Sequence, residues 1–318
     1  KFSNLYQTPI DQGKGITKVT ALNECGKSIH AMIIDGENTV VTDPDRNHCE
    51  HALRSLDHLV VIDIFRTETA EFADVVFPAT AWGETDGVCT NTERRVQRLR
   101  AAVPAVGEAK PDWWIVSQIA QRLGVPGFEY NSAKDVFNEL CSVSPIYNGL
   151  DWDRIDRSEY QWPVPEKDHP GTPMLHEKEF KNGRGIFKRL GYRDPAEVVD
   201  DHFPIWLTTG RRLQAYHSRT QTGRSAGIEY LLPGESLEIH PEDAERLKLT
   251  HGDNCRLSSR RGSLEIPVNI TDRSPRGTVF ASFSFAEIPI NILTGSGYDP
   301  VTETAELKVC AVKVEAIN

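Results

Sequence analysis

Apolar residues follow different spacings along the chain, and the changes divide it into three stretches. His58–Asp63 (HLVVID) is a compact apolar run, the signature of a strand buried on both faces. Asp74–Pro78 (DVVFP) predicts a second strand. Ser28–Ile34 is a short apolar segment that stops at Asp35-Gly36-Glu37-Asn38, a turn sequence. Thr67 and Thr69 offer hydroxyls to start a helix running to Ala73. Lys110–Leu123 places Trp113, Trp114, Val116, Ile119, Ala120 and Leu123 at helical spacing. Strands alternating with helices predict a parallel-sheet α/β domain over residues 1–145.

Residues 146–202 lose this periodicity and carry several prolines and many charges, which predicts an extended connecting segment. From Phe203 the pattern turns to short strands. Pro204–Thr208, Ser236–His240, Cys255–Ser259, Leu264–Ile270, Val279–Phe285 and Leu307–Val314 are the candidates, with a short helix opening at Pro241. Leu264, Ile266, Val268 and Ile270 alternate with polar positions, and Arg260-Arg261-Gly262 makes a hairpin turn. A small closed β-barrel over 203–318 accounts for the set.

The chain has 318 residues, enough for two ordinary domains. Its net charge of -10 removes nucleic acid and anionic membrane surfaces as partners, because both need clustered Lys and Arg. No apolar run approaches the roughly 20 residues of a membrane span, so no membrane insertion is expected. Lys1-Phe2-Ser3-Asn4 lacks signal-peptide character, which points to a processed protein or a piece of a longer one. Cys25, Cys49, Cys89, Cys141, Cys255 and Cys310 form no CxxC pair, so reduced thiols in a cytoplasmic protein are expected. Any metal would take its ligands from outside this chain.

Parallel sheets bind ligands at the carboxyl ends of their strands, here Gly36-Glu37-Asn38 and Asp63–Thr69. Glu37 and Asp63 could accept hydrogen bonds from a base or ribose, and Thr67 could meet a phosphate; alternatively Asp63 and Thr67 only cap a helix. Thr208-Thr209-Gly210-Arg211-Arg212 and Tyr216–Arg224 are dense in donors suited to phosphates and a pterin edge, or are a solvated loop. Asn291-Ile292-Leu293-Thr294 could bond a heterocycle or form a turn. His217 lacks the companions of a catalytic triad.

In this order the pieces resemble a known family. Val60–Arg100 is similar to the third domain of the bis-molybdopterin-guanine-dinucleotide oxidoreductases, the dimethyl sulfoxide reductase superfamily. Thr208–Arg224, Gly252–Phe285 and Asn291–Val314 resemble its dinucleotide-binding domain, a double-psi β-barrel. The DIFRTET run and the ending from Asn291 most resemble formate dehydrogenases.

The resemblance implies a cofactor of bis-molybdopterin guanine dinucleotide with molybdenum or tungsten, and an iron–sulfur cluster in a missing N-terminal part. It implies that Gly36, Glu37, Asn38, Asp63, Phe65 and Thr67 serve one dinucleotide. Thr209, Gly210, Arg211, Gln214, His217, Thr220 and Thr222 would contact pterins and phosphates, with Asn291 and Lys308 closing from the far side. Ala215 and Ser284 depart from the family, which often has histidine at both. The implied partners are an N-terminal half of the catalytic subunit and iron–sulfur electron-transfer subunits, with formate and carbon dioxide as substrate and product. The metal ligand precedes the matched region, so this chain alone is expected to hold no catalytic residue. Another bis-dinucleotide enzyme such as nitrate reductase shares many of these motifs. A cofactor-free subunit of a respiratory complex is a third reading, against which the retained Thr209-Gly210-Arg211 set argues.

Overall fold

The computed structural model describes residues 15–317, so the expectations placed on Lys1–Asn4 lie outside the described residues. The chain divides into two compact units, one of residues 77–191 and one of 15–76 with 192–317. The expected breaks after 145 and 202 therefore fall elsewhere. The chain leaves the larger unit at Val76 and returns to it at Tyr192.

The larger unit begins with helix α1 (Lys18–Glu24) and strand β1 (Ala31–Asp35), followed by the short helices α2 (Thr39–Thr42) and α3 (Arg46–Arg54). Strand β2 (His58–Asp63) pairs parallel to β1, and β3 (Val75–Pro78) completes the sheet in the order β1-β2-β3. Leu59, Val60, Val61 and Ile62 are all buried because β2 is the central strand, which is why its apolar run is continuous. Where a helix from Thr67 or Thr69 to Ala73 is expected, one 3-10 turn forms over Ala70–Phe72. Thr67 does cap it, accepting from the Ala70 amide at 3.3 Å. Thr69 instead spends its hydroxyl on the Val40 amide and on Asn38, and Ala73 is already extended toward β3.

The smaller unit is an antiparallel sheet of β4 (Gly87–Thr90), β5 (Arg95–Leu99) and β6 (Tyr160–Gln161) with helices α4 (Asp112–Arg122), α5 (Ala133–Val143) and α6 (Trp152–Arg157). Beyond β3, then, the expected parallel repetition stops. The expected connector at 146–202 holds α6 and β6 in its first part. The core gathers Val96, Phe137, Cys141, Leu150, Ile155 and Val164.

Back in the larger unit, β7 (Ile205–Gly210), β8 (Leu237–Ile239), β9 (Asn254–Ser258), β10 (Ser263–Ile270), β11 (Thr278–Ser282) and β12 (Cys310–Ala316) close into a barrel in the order β10-β8-β11-β7-β12-β9. Helix α7 (Ala226–Leu231) follows β7, and α8 (Pro241–Arg246) follows β8. The expected hairpin is β9–β10, with Leu264 opposite Leu257 and Ile266 opposite Cys255. Leu207, Leu237, Ile239, Leu257, Ile266, Val279 and Val312 fill the barrel. Each such side chain, fully buried, contributes about 1.5–3 kcal/mol. Cys255 and Cys310 belong to this core as free thiols, and burial pushes them up to about 12 and about 11. Among the described residues no helix is long and apolar enough to cross a membrane.

Candidate cofactor-binding site

Parallel pairing sets Asp35 beside Ile62, so the loops that leave β1 and β2 emerge side by side. Gly36 continues the ladder, its amide donating to the Ile62 carbonyl at 2.9 Å, and then turns with φ +62. A side chain there would be strained although nothing lies within 4 Å of where it would sit. Asn38 is buried and ties the loops together, accepting from Thr69 and donating to Glu68 at 2.7 Å. Glu37 accepts from Thr42 at 2.5 Å and pairs with Lys18 at 3.4 Å. Burial pushes its carboxyl up, but Thr42, Lys18 and the nearby His217 outweigh that and hold it below the ordinary value. Asp63 turns back to accept from the Phe65 amide at 3.2 Å.

The loop after β7 folds over itself. Thr222 accepts from the Tyr216 amide at 3.1 Å, Gly223 donates to the Arg219 carbonyl at 2.8 Å, and Arg224 donates to the Thr220 carbonyl. His217 and Arg219 take positive φ (49 and 59), the left-handed region in which the chain curls tightly. Three phenylalanines on β11 and its continuation carry the arginines of this loop. Arg212 lies over Phe280, Arg211 over Phe283 and Arg219 over Phe285, at 5.0, 5.4 and 4.3 Å from the ring centres. His217 meets the Phe283 ring edge-on, and Arg224 lies 4.1 Å from the Phe65 ring centre.

Two cavities share Ser218 and Thr220. The first, of about 360 Å³, is lined by Arg66, Thr67, Glu68, Arg219, Gly223 and Arg224 among others. Arg219 is held by Glu229 at 2.7 Å and Glu287 at 3.3 Å, yet its Nε is buried without a partner. Arg224 has no ion-pair partner among the described residues. Guanidinium and hydroxyl groups gathered in this way suit phosphate oxygens. The second, of about 270 Å³, is lined by Gly36, Glu37, Asn38, Asp63, His217 and Gln221 among others. Its carboxylates suit the N–H edge of a base.

Two family models match the chain: "Molybdopterin oxidoreductase" over residues 8–122 and "Molydopterin dinucleotide binding domain" over 205–311. The chain thus carries a molybdopterin oxidoreductase domain followed by a molybdopterin dinucleotide-binding domain. It is 43% identical over 321 residues to "F420-dependent formate dehydrogenase 2 subunit alpha" of Methanococcus maripaludis, an alignment covering 100% of this chain and 48% of that protein. The F420-dependent formate dehydrogenase subunit alpha of Methanocaldococcus jannaschii matches at 43% over 99% of this chain and 47% of its own length. The assimilatory nitrate reductase catalytic subunit of Bacillus subtilis matches at 34%, over 90% of this chain and 42% of that subunit. The chain spans about half the length of the curated relatives it matches. Among solved structures, acetylene hydratase from Pelobacter acetylenicus has the same fold, with a TM-score of 0.72 at 16% identity over 96% of this chain and 47% of that one.

The site residues expected from the family resemblance divide into groups. Gly36, Glu37, Asn38, Asp63, Thr67, His217 and Thr220 line the two cavities. Phe65 and Thr222 lie beside them, one as the platform for Arg224 and one as the tie within the loop. Arg211 and Gln214 are exposed on that loop. Thr209, Gly210, Asn291 and Lys308 line neither cavity, and the first, third and fourth are engaged in the framework. Thr209 donates to the Leu307 carbonyl at 2.5 Å, Asn291 to the Val41 carbonyl at 2.9 Å, and Lys308 to the Thr209 carbonyl at 3.1 Å. Gly210 packs under Phe280, where a Cβ would stand 2.6 Å from the ring. Arg66, Arg219 and Arg224 line the first cavity; Arg219 and Arg224 fall in the donor-dense run expected to meet phosphates, although none of the three was expected individually as a site residue. Among the described residues no three His, Cys, Asp or Glu side chains are grouped to hold a metal.

Proposed function

We propose that the chain is the cofactor-binding half of a molybdenum- or tungsten-dependent formate dehydrogenase that interconverts formate and carbon dioxide. The observation that carries this reading is the match, at 43% identity along this whole chain, to about half the length of formate dehydrogenase alpha subunits. The match to a nitrate reductase subunit is lower and covers less of the chain. The donor set fits a guanine dinucleotide of molybdopterin: arginines and hydroxyls in one cavity, carboxylates in the other, and an Arg219 Nε that lacks a partner.

When bound, the metal–pterin group would accept the electron pair of formate. The chain's own task is to bind and orient that group. Arg66, Arg219 and Arg224, with Thr67, Ser218 and Thr220, would hold phosphate oxygens and offset their loss of water. Glu37 and Asp63 would accept from base N–H groups. Arg211 and His217, both against Phe283, would face the pterin side. The metal ligand and the iron–sulfur cluster would come from a preceding half, electrons would pass to iron–sulfur partner subunits, and the complex would work in the cytoplasm. F420, named for the relatives, is the acceptor to test first.

The test is metal and pterin analysis of the natively purified full-length protein, followed by dye-linked assays with formate and with nitrate. Molybdenum or tungsten with about two pterins per chain and formate oxidation is the expected result. Nitrate reduction without formate oxidation would move the reading to a nitrate reductase. Folded protein free of metal and pterin would favour a structural subunit.

A further inference from the structure

Arg211 and Arg212 are neighbours in sequence with opposite surroundings. Arg211 is exposed; the Arg212 side chain is 12% exposed and enters a network of buried charge. Its Nε and Nη2 donate to Glu235 at 3.1 and 2.5 Å, its Nη1 donates to Glu238, and its Nη2 also donates to the Ser236 carbonyl at 2.8 Å. The two carboxylates are 0% and 6% exposed, and the Ser282 hydroxyl donates to Glu235 from β11. Phe280, on the same strand, lies against both the guanidinium and Gly210. The residue that follows the end of β7 by two is thus fixed to both the approach to β8 and the edge of β11.

The loop runs on directly from Arg212, and its next amide hydrogen bond is to Arg212 itself. The Ala215 amide donates to the Arg212 carbonyl at 3.1 Å, and the Tyr216 amide donates to Thr222 at 3.1 Å. His217, Ser218 and Thr220 follow directly and line the cavities. A planar guanidinium reaches separated acceptors through five donors in a fixed fork, whereas an ammonium offers three donors from a single nitrogen and sets no such plane. We propose that Arg212 is a positioning residue: its buried fork to Glu235 and Glu238 fixes the loop that presents Arg211 and His217 to the pterin dinucleotide. This rests on the cofactor reading above.

Two variants of the full-length holoenzyme test it. Arg212→Lys keeps the counter-charge, so no buried carboxylate is left alone. The double variant Arg212→Met/Glu235→Gln removes one charge of each sign and so separates positioning from charge neutralisation. Hydrogen exchange at Ala215 and Tyr216, relative to the β7 amides, reads the loop without reference to any ligand. Pterin retained after gel filtration reads the consequence. In both variants, faster exchange at the two amides with β7 unchanged, and a roughly tenfold or greater loss of pterin affinity, is expected, since partners that orient a binding group characteristically carry such factors. Wild-type protection at Ala215 and Tyr216 in either variant overturns the proposal, as does wild-type pterin retention in the double variant. If the wild-type protein carries no pterin, the functional reading fails, while the exchange measurement still decides the role of Arg212.

Discussion

Asn38 Oδ1 accepts from both the amide and the hydroxyl of Thr69, at 3.2 and 2.9 Å, and so joins the loop after β1 to the loop after β2. The pair is buried, with Asn38 6% and Thr69 0% exposed. Asn38→Ala would orphan two donors of Thr69 and the Glu68 contact at once. A loss of about 1–3 kcal/mol of unfolding free energy is expected, the cost of unpaired buried polar groups. Denaturant titration checks it, and a shift within error of zero would remove Asn38 from the framework.

Two glycines give opposite expectations. At Gly36 the strain is in the backbone, since φ is +62 and nothing lies within 4 Å of a built Cβ. Gly36→Ala should therefore cost only about 1–2 kcal/mol of left-handed strain. At Gly210 the built Cβ stands 2.6 Å from the Phe280 ring. Gly210→Ala should disturb Phe280 and, through it, Arg212, at a cost of about 1–3 kcal/mol for overpacking. Thermal melts of the two variants compare them directly. Pterin content separates them further, because only Gly210→Ala should displace the loop after β7.

The parts of this fold legible in the sequence are those in which burial imposes a period. HLVVID is read correctly because β2 is buried on both faces, and the β9–β10 hairpin because one face of β10 is in the barrel. The expected helix at Thr67–Ala73 was not legible: both threonines can cap, but which one does depends on Asn38, some 30 residues earlier. Helix α5 went unmarked although Ser132 caps it by accepting from Asp135 at 3.3 Å. In the site, loop residues at strand ends were legible, because parallel pairing alone brings them together. Arg212 and Arg219 were not, because spacing cannot tell which guanidinium in a polar stretch turns inward, Arg212 to the buried Glu235 and Glu238 and Arg219 to the more exposed Glu229 and Glu287.

Asp243 makes a pH prediction. Its carboxylate accepts from the Gly277 amide at 2.6 Å and from Arg246 at 2.9 Å. Burial pushes the carboxyl up, but these two donors outweigh it and hold it below the ordinary 3.8. A lowered folded value means that the folded state binds the proton less readily than the unfolded chain. The contribution is therefore present above about 3.8 and is lost as pH falls through the folded value. Asp243→Asn should be less stable than wild type near neutrality and should lose less stability on acidification. Denaturation midpoints between about pH 6 and pH 3 would show it. Parallel curves for the two proteins would mean that the Asp243 proton is not linked to folding.

Arg211 is exposed, carries no ion pair among the described residues, and stacks on Phe283 at 5.4 Å. A cation left free of carboxylates on the ring that also meets His217 is suited to an anionic ligand rather than to the fold. Arg211→Ala should therefore leave the melting temperature of the cofactor-free protein close to wild type. Its effect should fall on cofactor occupancy, because a group that holds phosphate or pterin acts before turnover begins. Metal and pterin per chain would drop, and formate oxidation per bound metal would change much less. Charge-assisted bonds of this kind contribute about 1.5–3 kcal/mol, so a drop in affinity of roughly ten- to a hundredfold is the expected size. Full metal loading in Arg211→Ala, with turnover alone reduced, would assign Arg211 to the reaction rather than to binding.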